Sequence, residues 1–441
     1  MQLEKVISLK ADYIDVRVIS VDSLSVTAKD SKIEEVESCQ DFGFGVRVLY
    51  NDNWGYAAGN NITDLLNVAR YAIKLAKTSG IKKKEKITLA ESKTIKDNVK
   101  IKSKIPDISE VVEFVLDCEK EAKESRIVST ASHVVNSEIK KIFVNSEGTE
   151  IKQEYFRSFL GVSATAKKGS ILQESSERST SFSWNHNLET ARIARDRAIR
   201  LLTSRKSPSG KLPIIMDPEL VGVFLHEALG HMAEADLVLE KQSILKDKIN
   251  QRIASQIVTI VDDGTAEGYG KIFYDDEGVK AQKTIIVENG VLKSFMHSKQ
   301  TASFLNSKPT GNSRAQSYDA PSVVRMTNTY IENGKSSFDE LIEDIKYGIY
   351  LIGSNGGQAS PARGIFQFAS KEGFLIENGK IKNSIRNAGI SGNTLEVLMS
   401  ISRIGNDFKI KSPGHCGKKG QSVPVDGGGP HILTEALVGG V

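Results

Sequence analysis

A helix that starts sharply at Asp217 and carries His226, Glu227 and His231 constrains this chain more than any other stretch. Leu212 to Met216 reads as a buried strand. Asp217 then offers an N-cap, Pro218 suits the first helical position, and Glu219 favours the positive helix end. Leu220, Val221, Phe224, Leu225, Ala228 and Leu229 supply an apolar face that has to be buried. Two imidazoles and a carboxylate therefore sit on an element held from behind. Imidazole is the commonest biological zinc ligand, and a neighbouring carboxylate can take a proton from an activated water.

The spacing carries a geometric demand. The common zinc-peptidase helix, His-Glu-x-x-His, would need a histidine at Gly230, and the second histidine comes one residue later. Positions five apart on a regular helix differ by about 140° in azimuth. A π-bulge would realign them, as would a last turn ended or unwound at Gly230. The expectation is an irregular last turn at Gly230. The competing reading, two core histidines and a solvated glutamate, is separated from a metal site by a third ligand.

At 441 residues the chain can bury large cores, and two domains are expected. A net charge of +4 over that length gives no reason to expect nucleic acid as the main partner. No run approaches the ~18 apolar residues of a membrane helix, and the N-terminus lacks a secretory apolar core. Cys39, Cys118 and Cys416 are too few and too scattered for a disulfide framework, so a reducing cytoplasm is the expected location.

Residues 1–207 are expected to form an N-terminal α+β domain for dimerisation and a substrate chamber. Residues 208–441 are expected to form a β-rich catalytic, metal-binding domain, with Ser204–Gly210 as linker. Strands are expected at Tyr13–Ser20, Ser25–Lys29, Gly43–Tyr50 and through 126–180. Helices are expected at 63–79 (cap Thr63, stop Gly80), after Pro106 (capping box Asp107 and Glu110), at 187–204 and near 239–249. Further strands are expected at Gln256–Val261, Lys283–Glu288, Val291–Met296 and Val323–Tyr330, with hairpin turns at Asn289-Gly290 and Asn378-Gly379. The lysine-rich stretch Lys82 to Lys104 reads as a solvated surface, because acids interrupt it and no aromatics interleave. Asp262, Asp263, Asp275 and Asp276 read as turn caps, and Gly427–Gly429 is no phosphate loop. Arg314 and Arg325 are candidates to clamp a carboxylate or to serve in structural ion pairs.

The third ligand is sought far along the chain, in Pro413-Gly414-His415-Cys416-Gly417. Glycines on either side of His415-Cys416 leave the backbone open to a metal, and a bound cysteine would be a thiolate. Two histidines plus one thiolate leave one position for water, the pattern of a catalytic site. His415 competes with Cys416, and spacing does not separate the two.

With these residues in hand, the chain resembles the TldD/PmbA family of zinc-dependent peptidases, in its metal-bearing TldD branch. The resemblance runs through His226-Glu227-x-x-x-His231 with Glu234-Ala235-Asp236, Val261–Thr265, Asp275–Gly278, Arg325–Thr329 and Cys416-Gly417-Lys418-x-Gly420-Gln421. Gly43–Val48 and Trp54-Gly55-Tyr56 extend it into the N-terminal half. Ala235, where glycine is expected in many relatives, and His415 are departures that touch no presumed ligand. The resemblance implies His226, His231 and Cys416 as ligands of one zinc per chain and Glu227 as general base; the sequence does not fix the metal as zinc, since iron, manganese or cobalt could occupy the same ligands. It implies peptides or unfolded segments as substrates, cut in a chamber built from two subunits, either identical or one a motif-lacking paralogue. Two other readings compete. A non-catalytic regulatory subunit would have no need of all four site residues. A nucleic-acid-associated regulator would show salt-dependent DNA binding.

Overall fold

A computed structural model describes residues 2–78, 86–101 and 103–440. Of the expected features, Gly80, Lys82, Lys83, Lys84 and Lys102 lie outside the described residues. The fold is α+β.

The N-terminal half is one sheet of very long strands: β1 Tyr13–Lys29, β2 Lys32–Tyr50, β3 Asn53–Gly59, β4 Lys96–Lys100, β5 Ile127–Asn145, β6 Glu150–Lys168 and β7 Ile171–Ser181. Their order is β3-β2-β1-β5-β6-β4, with β7 also paired to β6. The separate strands expected at Tyr13–Ser20 and Ser25–Lys29 are a single one. Side chains alternate across a strand, so one register of β1 (Ile14, Val16, Val18, Leu24, Val26, Ala28) faces a single layer of helices. That layer is α2 Leu65–Thr78, α3 Ile108–Ala122 and α4 Glu189–Leu201, following the short α1 Gln2–Ile7. The opposite register faces the C-terminal half: Arg17 donates to the Ala320 carbonyl at 2.6 Å, and Arg47 to Glu277 at 2.8 Å.

Two helix starts differ from expectation. Asn61 takes the capping role assigned to Thr63, since its Oδ1 accepts from the Thr63 N–H at 3.2 Å. The Asp107–Glu110 capping box does not form: Asp107 makes no side-chain cap bond, and Glu110 accepts from the Trp184 indole at 2.6 Å. An aromatic N–H 74 residues along the chain takes the glutamate instead.

Beyond α4, Arg205–Lys206 pairs in parallel with Ile385–Arg386, so the expected linker is stitched into a sheet. The C-terminal half holds a ten-stranded and a seven-stranded sheet among the described residues. The strand Gly210–Met216 lies inside the larger one, between Tyr347–Ile352 and Ile432–Gly440. The strand Gln421–Gly429 lies in the smaller one, parallel to Asn328–Ile331. The Asn289-Gly290 and Asn378-Gly379 hairpins form as expected, each with positive φ at both turn residues. The helix expected at 239–249 is instead a short Ala235–Leu239, because Lys241 and Asp247 adopt left-handed backbone that a helix cannot contain. Val291–Met296 and Val323–Tyr330 are strands only at Val291–Leu292, Val323–Val324 and Asn328–Ile331.

Candidate metal centre

The helix α5 Pro218–Leu225 is set in a continuous core that includes residues of both C-terminal sheets, with Leu220, Val221, Phe224 and Leu225 wholly buried. Its start is the one read from sequence. Asp217 Oδ1 accepts the Leu220 N–H at 2.9 Å, and also the Gly353 N–H at 2.8 Å, which ties the cap to a neighbouring loop. Glycine at 222 lets the helix touch another backbone: a Cβ there would collide with Ser412 and with the main chain of Gly427 and Gly428. The Gly427–Gly429 run thus serves close packing.

The helix then widens. His226–Gly230 is a π-helical turn, closed by the His231 N–H donating to the His226 carbonyl five residues back. The expectation of an unwound turn at Gly230 is corrected. Gly230 keeps right-handed helical dihedrals, φ −55° and ψ −52°. It is glycine because a Cβ would strike the buried Met326 side chain. The π-turn removes the azimuthal mismatch between positions five apart, and the two imidazole centroids lie 5.1 Å apart at 82°.

Cys416 arrives on the strand Gly414–Lys418, the first arm of a hairpin whose turn residues Lys419 and Gly420 have positive φ. One ligand atom each from His226, His231 and Cys416 lie within 4.8 Å of one another, and Cys416 Sγ is 3.6 Å from His231 Nε2. His415, next along the strand, points elsewhere and packs edge-on to Tyr269 at 5.4 Å. Of the two candidates that spacing left open, the structure brings Cys416 and not His415 to the two histidines.

Electrostatics at the cluster suit a cation. Burial alone would push the Cys416 thiol up, yet the His226 and His231 imidazoles outweigh it and bring it down to about 4. Burial likewise works to lower His231, but the Glu234 carboxylate and the Cys416 sulfur raise it well above the ordinary histidine range. Two imidazoles and a sulfur gathered this closely are a donor set that a divalent metal completes.

Residues that sequence spacing did not assign hold this cluster. Glu234, fully buried, bonds His231 Nδ1 at 3.0 Å, leaving Nε2 toward the sulfur. Lys418 reaches Glu234 at 3.0 Å, Asp236 at 2.7 Å and the Val324 carbonyl at 2.9 Å. The Arg325 guanidinium donates to the Cys416 carbonyl, and Arg314 to the carbonyls of Met326 and Pro424 at 2.5 and 2.7 Å. Among the described residues neither arginine forms the carboxylate pair weighed from sequence. The only hint available was a glutamate three residues after His231 and a lysine two after Cys416, opposite charges far apart in the chain.

Glu227 is half-buried and lines a cavity of about 180 Å³ together with His226, Glu219, Lys371, Asp426 and His415. Among the described residues its carboxylate has no hydrogen-bond or ion-pair partner, so it is left for whatever enters the cavity. The aspartates behave as turn and strand pins. Asp262 accepts from the Thr327 N–H at 2.9 Å and the Thr329 hydroxyl at 2.8 Å, and Asp275 from the N–H groups of Glu277, Val279 and Ser313.

Three family models match the chain: PmbA/TldA metallopeptidase domain 1 over residues 14–76, the central domain over 101–202 and the C-terminal domain over 209–440. The chain belongs to the TldD/PmbA metallopeptidase family. It is 42% identical to a metalloprotease of Methanocaldococcus jannaschii, covering 99% of both chains. It is 36% identical, again over 99% of both, to a protein of Saccharolobus solfataricus named a zinc metalloprotease TldD homolog. The fold matches crystalline TldE from Thermococcus kodakarensis with a TM-score of 0.79 at 20% identity, over 100% of this chain and 98% of that one. Among the described residues no helix is long and apolar enough to cross a membrane.

Proposed function

We propose that this protein is a metal-dependent peptidase in which His226, His231 and Cys416 hold a zinc ion and Glu227 is the general base. The observation that carries the reading is the convergence of the three donors at one point, beside a cavity into which Glu227 turns an unpartnered carboxylate. When bound, zinc supplies the Lewis acidity that acidifies a water and polarises a carbonyl. The chain's own residues do the rest. Glu227 takes the water's proton on its carboxylate and returns it to the leaving amine. Glu234 holds the His231 Nδ1 proton, so that Nε2 is the donor, and Lys418 holds Glu234.

The substrates we infer are peptides or unfolded segments, since the carboxylate lies within a cavity rather than on an open face. Residues 1–207 and 208–441 are taken as two working units, the first adding Glu177 and Arg178 to the cavity wall and the second carrying the donors. A second subunit, either a copy of this chain or a motif-lacking paralogue, is part of the same reading. Its support is the shared fold with TldE. The test is metal quantification combined with mass spectrometry of an unstructured peptide mixture incubated with the protein, repeated with a chelator. Stoichiometric zinc and chelator-sensitive cleavage are expected. Cleavage that survives complete metal removal would sink the proposal.

A further inference from the structure

Behind His415 lies a second, larger cavity of about 460 Å³. Its floor is the outward register of β1, β5 and β6, the face turned away from the helices, including Ile139, Tyr155, Arg157 and Phe159. Tyr269, Arg314 and His415 close it from the C-terminal half. His415 lines both this cavity and the one holding Glu227, so the two share a wall. A peptide lying against Glu227 has this chamber as its nearest extension.

The chamber's charges do not balance. Its two carboxylates are already engaged: Asp276 with Lys141 at 3.3 Å and Arg17 at 3.8 Å, Asp275 with three backbone N–H groups. Arg157 has no carboxylate partner among the described residues. Its Nη2 donates to the Lys271 carbonyl at 2.8 Å, and its Nε is buried with no acceptor. Arg314, buried beside it, meets only carbonyls. Desolvation, then the charges of Arg157 and Arg325, lower Arg314 to about 10. Like charges gathered out of water are costly unless an anion joins them. Arg157 is also held in place: its guanidinium lies 5.3 Å from the Tyr155 ring centre, 5.7 Å from Phe182 and 5.8 Å from Tyr269. These rings soften the cost of the charge and fix the planar group that a carboxylate binds in a forked pair.

We propose that this chamber receives a carboxylate of the bound peptide, with Arg157 as its partner, and so sets which peptides are preferred. The inference rests on the peptidase reading. The carboxylate is either the peptide's C-terminus or an aspartate or glutamate side chain. Arg157 is a specificity residue; it touches substrate away from the bond that is cut.

The experiment measures binding apart from turnover. Labelled peptides in matched sets, free or amidated at the C-terminus and with glutamate or glutamine within, are titrated against the zinc-loaded full-length Glu227→Gln protein by fluorescence anisotropy. A carboxylate-bearing peptide is expected to bind at least ~10-fold more tightly than its neutral twin, with the margin shrinking as salt is added. The arm that shows the margin identifies the source. Arg157→Met in the same background should erase it while changing the neutral peptides' affinity less than about twofold, and Arg157→Lys should restore part of it. Equal affinity within each matched set of the Glu227→Gln protein overturns the inference without need of any Arg157 variant, so a poorly folded variant does not shield it. A margin that persists in Arg157→Met overturns the role of that residue. Turnover by the wild-type protein, read in parallel, separates the two claims. Cleavage without a carboxylate margin defeats this inference alone, whereas a carboxylate margin without cleavage defeats the peptidase reading alone.

Discussion

The two halves of the donor set are held in opposite ways. The helix Pro218–Gly230 is fixed by its own sequence: a side-chain cap at Asp217, an apolar face and a π-turn that aligns His226 with His231. The strand Gly414–Lys418 has almost no apolar grip. Of its residues only Cys416 is buried, at 2% exposure, and its position depends on Arg325, Lys418 and pairing with Gln421–Gly429. The helix half is held by apolar packing on a locally capped helix, whereas the strand half is held by an electrostatic clasp. Damage to each should therefore look different.

The largest effect is expected at the residue that belongs to neither clasp nor core. Glu227→Gln should cut peptide turnover by ~10²–10⁴ while zinc content stays at one per chain, read by metal analysis beside a turnover assay. Loss of zinc as well would make Glu227 a structural part of the helix half. Next comes the strand's donor. Cys416→Ser should weaken zinc binding by at least ~100-fold, beyond what loss of a supporting residue does, and unchanged zinc content would move attention to His415. Arg325→Met tests the clasp itself. It should weaken zinc binding ~10–100-fold but cost little stability, because two of its buried nitrogens already lack partners. A large drop in melting temperature would show that the strand half is packed after all.

The helix half should respond in stability first. Gly230→Ala puts a methyl into Met326 and should destabilise by ~1–3 kcal/mol in denaturant unfolding, with part of the loss recovered by trimming Met326. The smallest effect is pH-dependent and sits between the halves. Burial works to raise Glu234, but His231 and Lys418 hold its carboxyl below the usual range. A depressed carboxyl contributes stability that is present above its unfolded value, about 4.3, and is lost as pH falls through the folded one. Acid titration of the metal-free protein should show that loss, and Glu234→Gln should flatten it; an unchanged slope in the variant would remove Glu234 from the clasp.

Much of the site was legible because its signals are local. The cap, the first-position proline and the apolar face act within one turn, so α5 could be placed from Asp217 onward. Asn-Gly turns were legible for the same reason. The failures share a cause too. At Gly230 the glycine was read as a backbone device, when its reason is a methionine ninety-six residues away. At Asp107 a distant indole took the glutamate of the capping box. At 239–249 two left-handed residues, neither of them glycine, interrupted an apparently helical run.

From the sequence came the candidate donors, with His415 and Cys416 undivided, the axis and start of the helix that bears two of them, and the alternation that splits the long strands into a helix-facing and a cavity-facing register. Those follow from short-range sterics and solvent, which each residue meets through its immediate neighbours. The tertiary structure decided that the last turn is π, that sulfur rather than the imidazole of His415 joins the histidines, and that Glu234, Lys418 and Arg325 secure them. Those depend on which charges and volumes meet across the core, and nothing in residue spacing encodes that meeting.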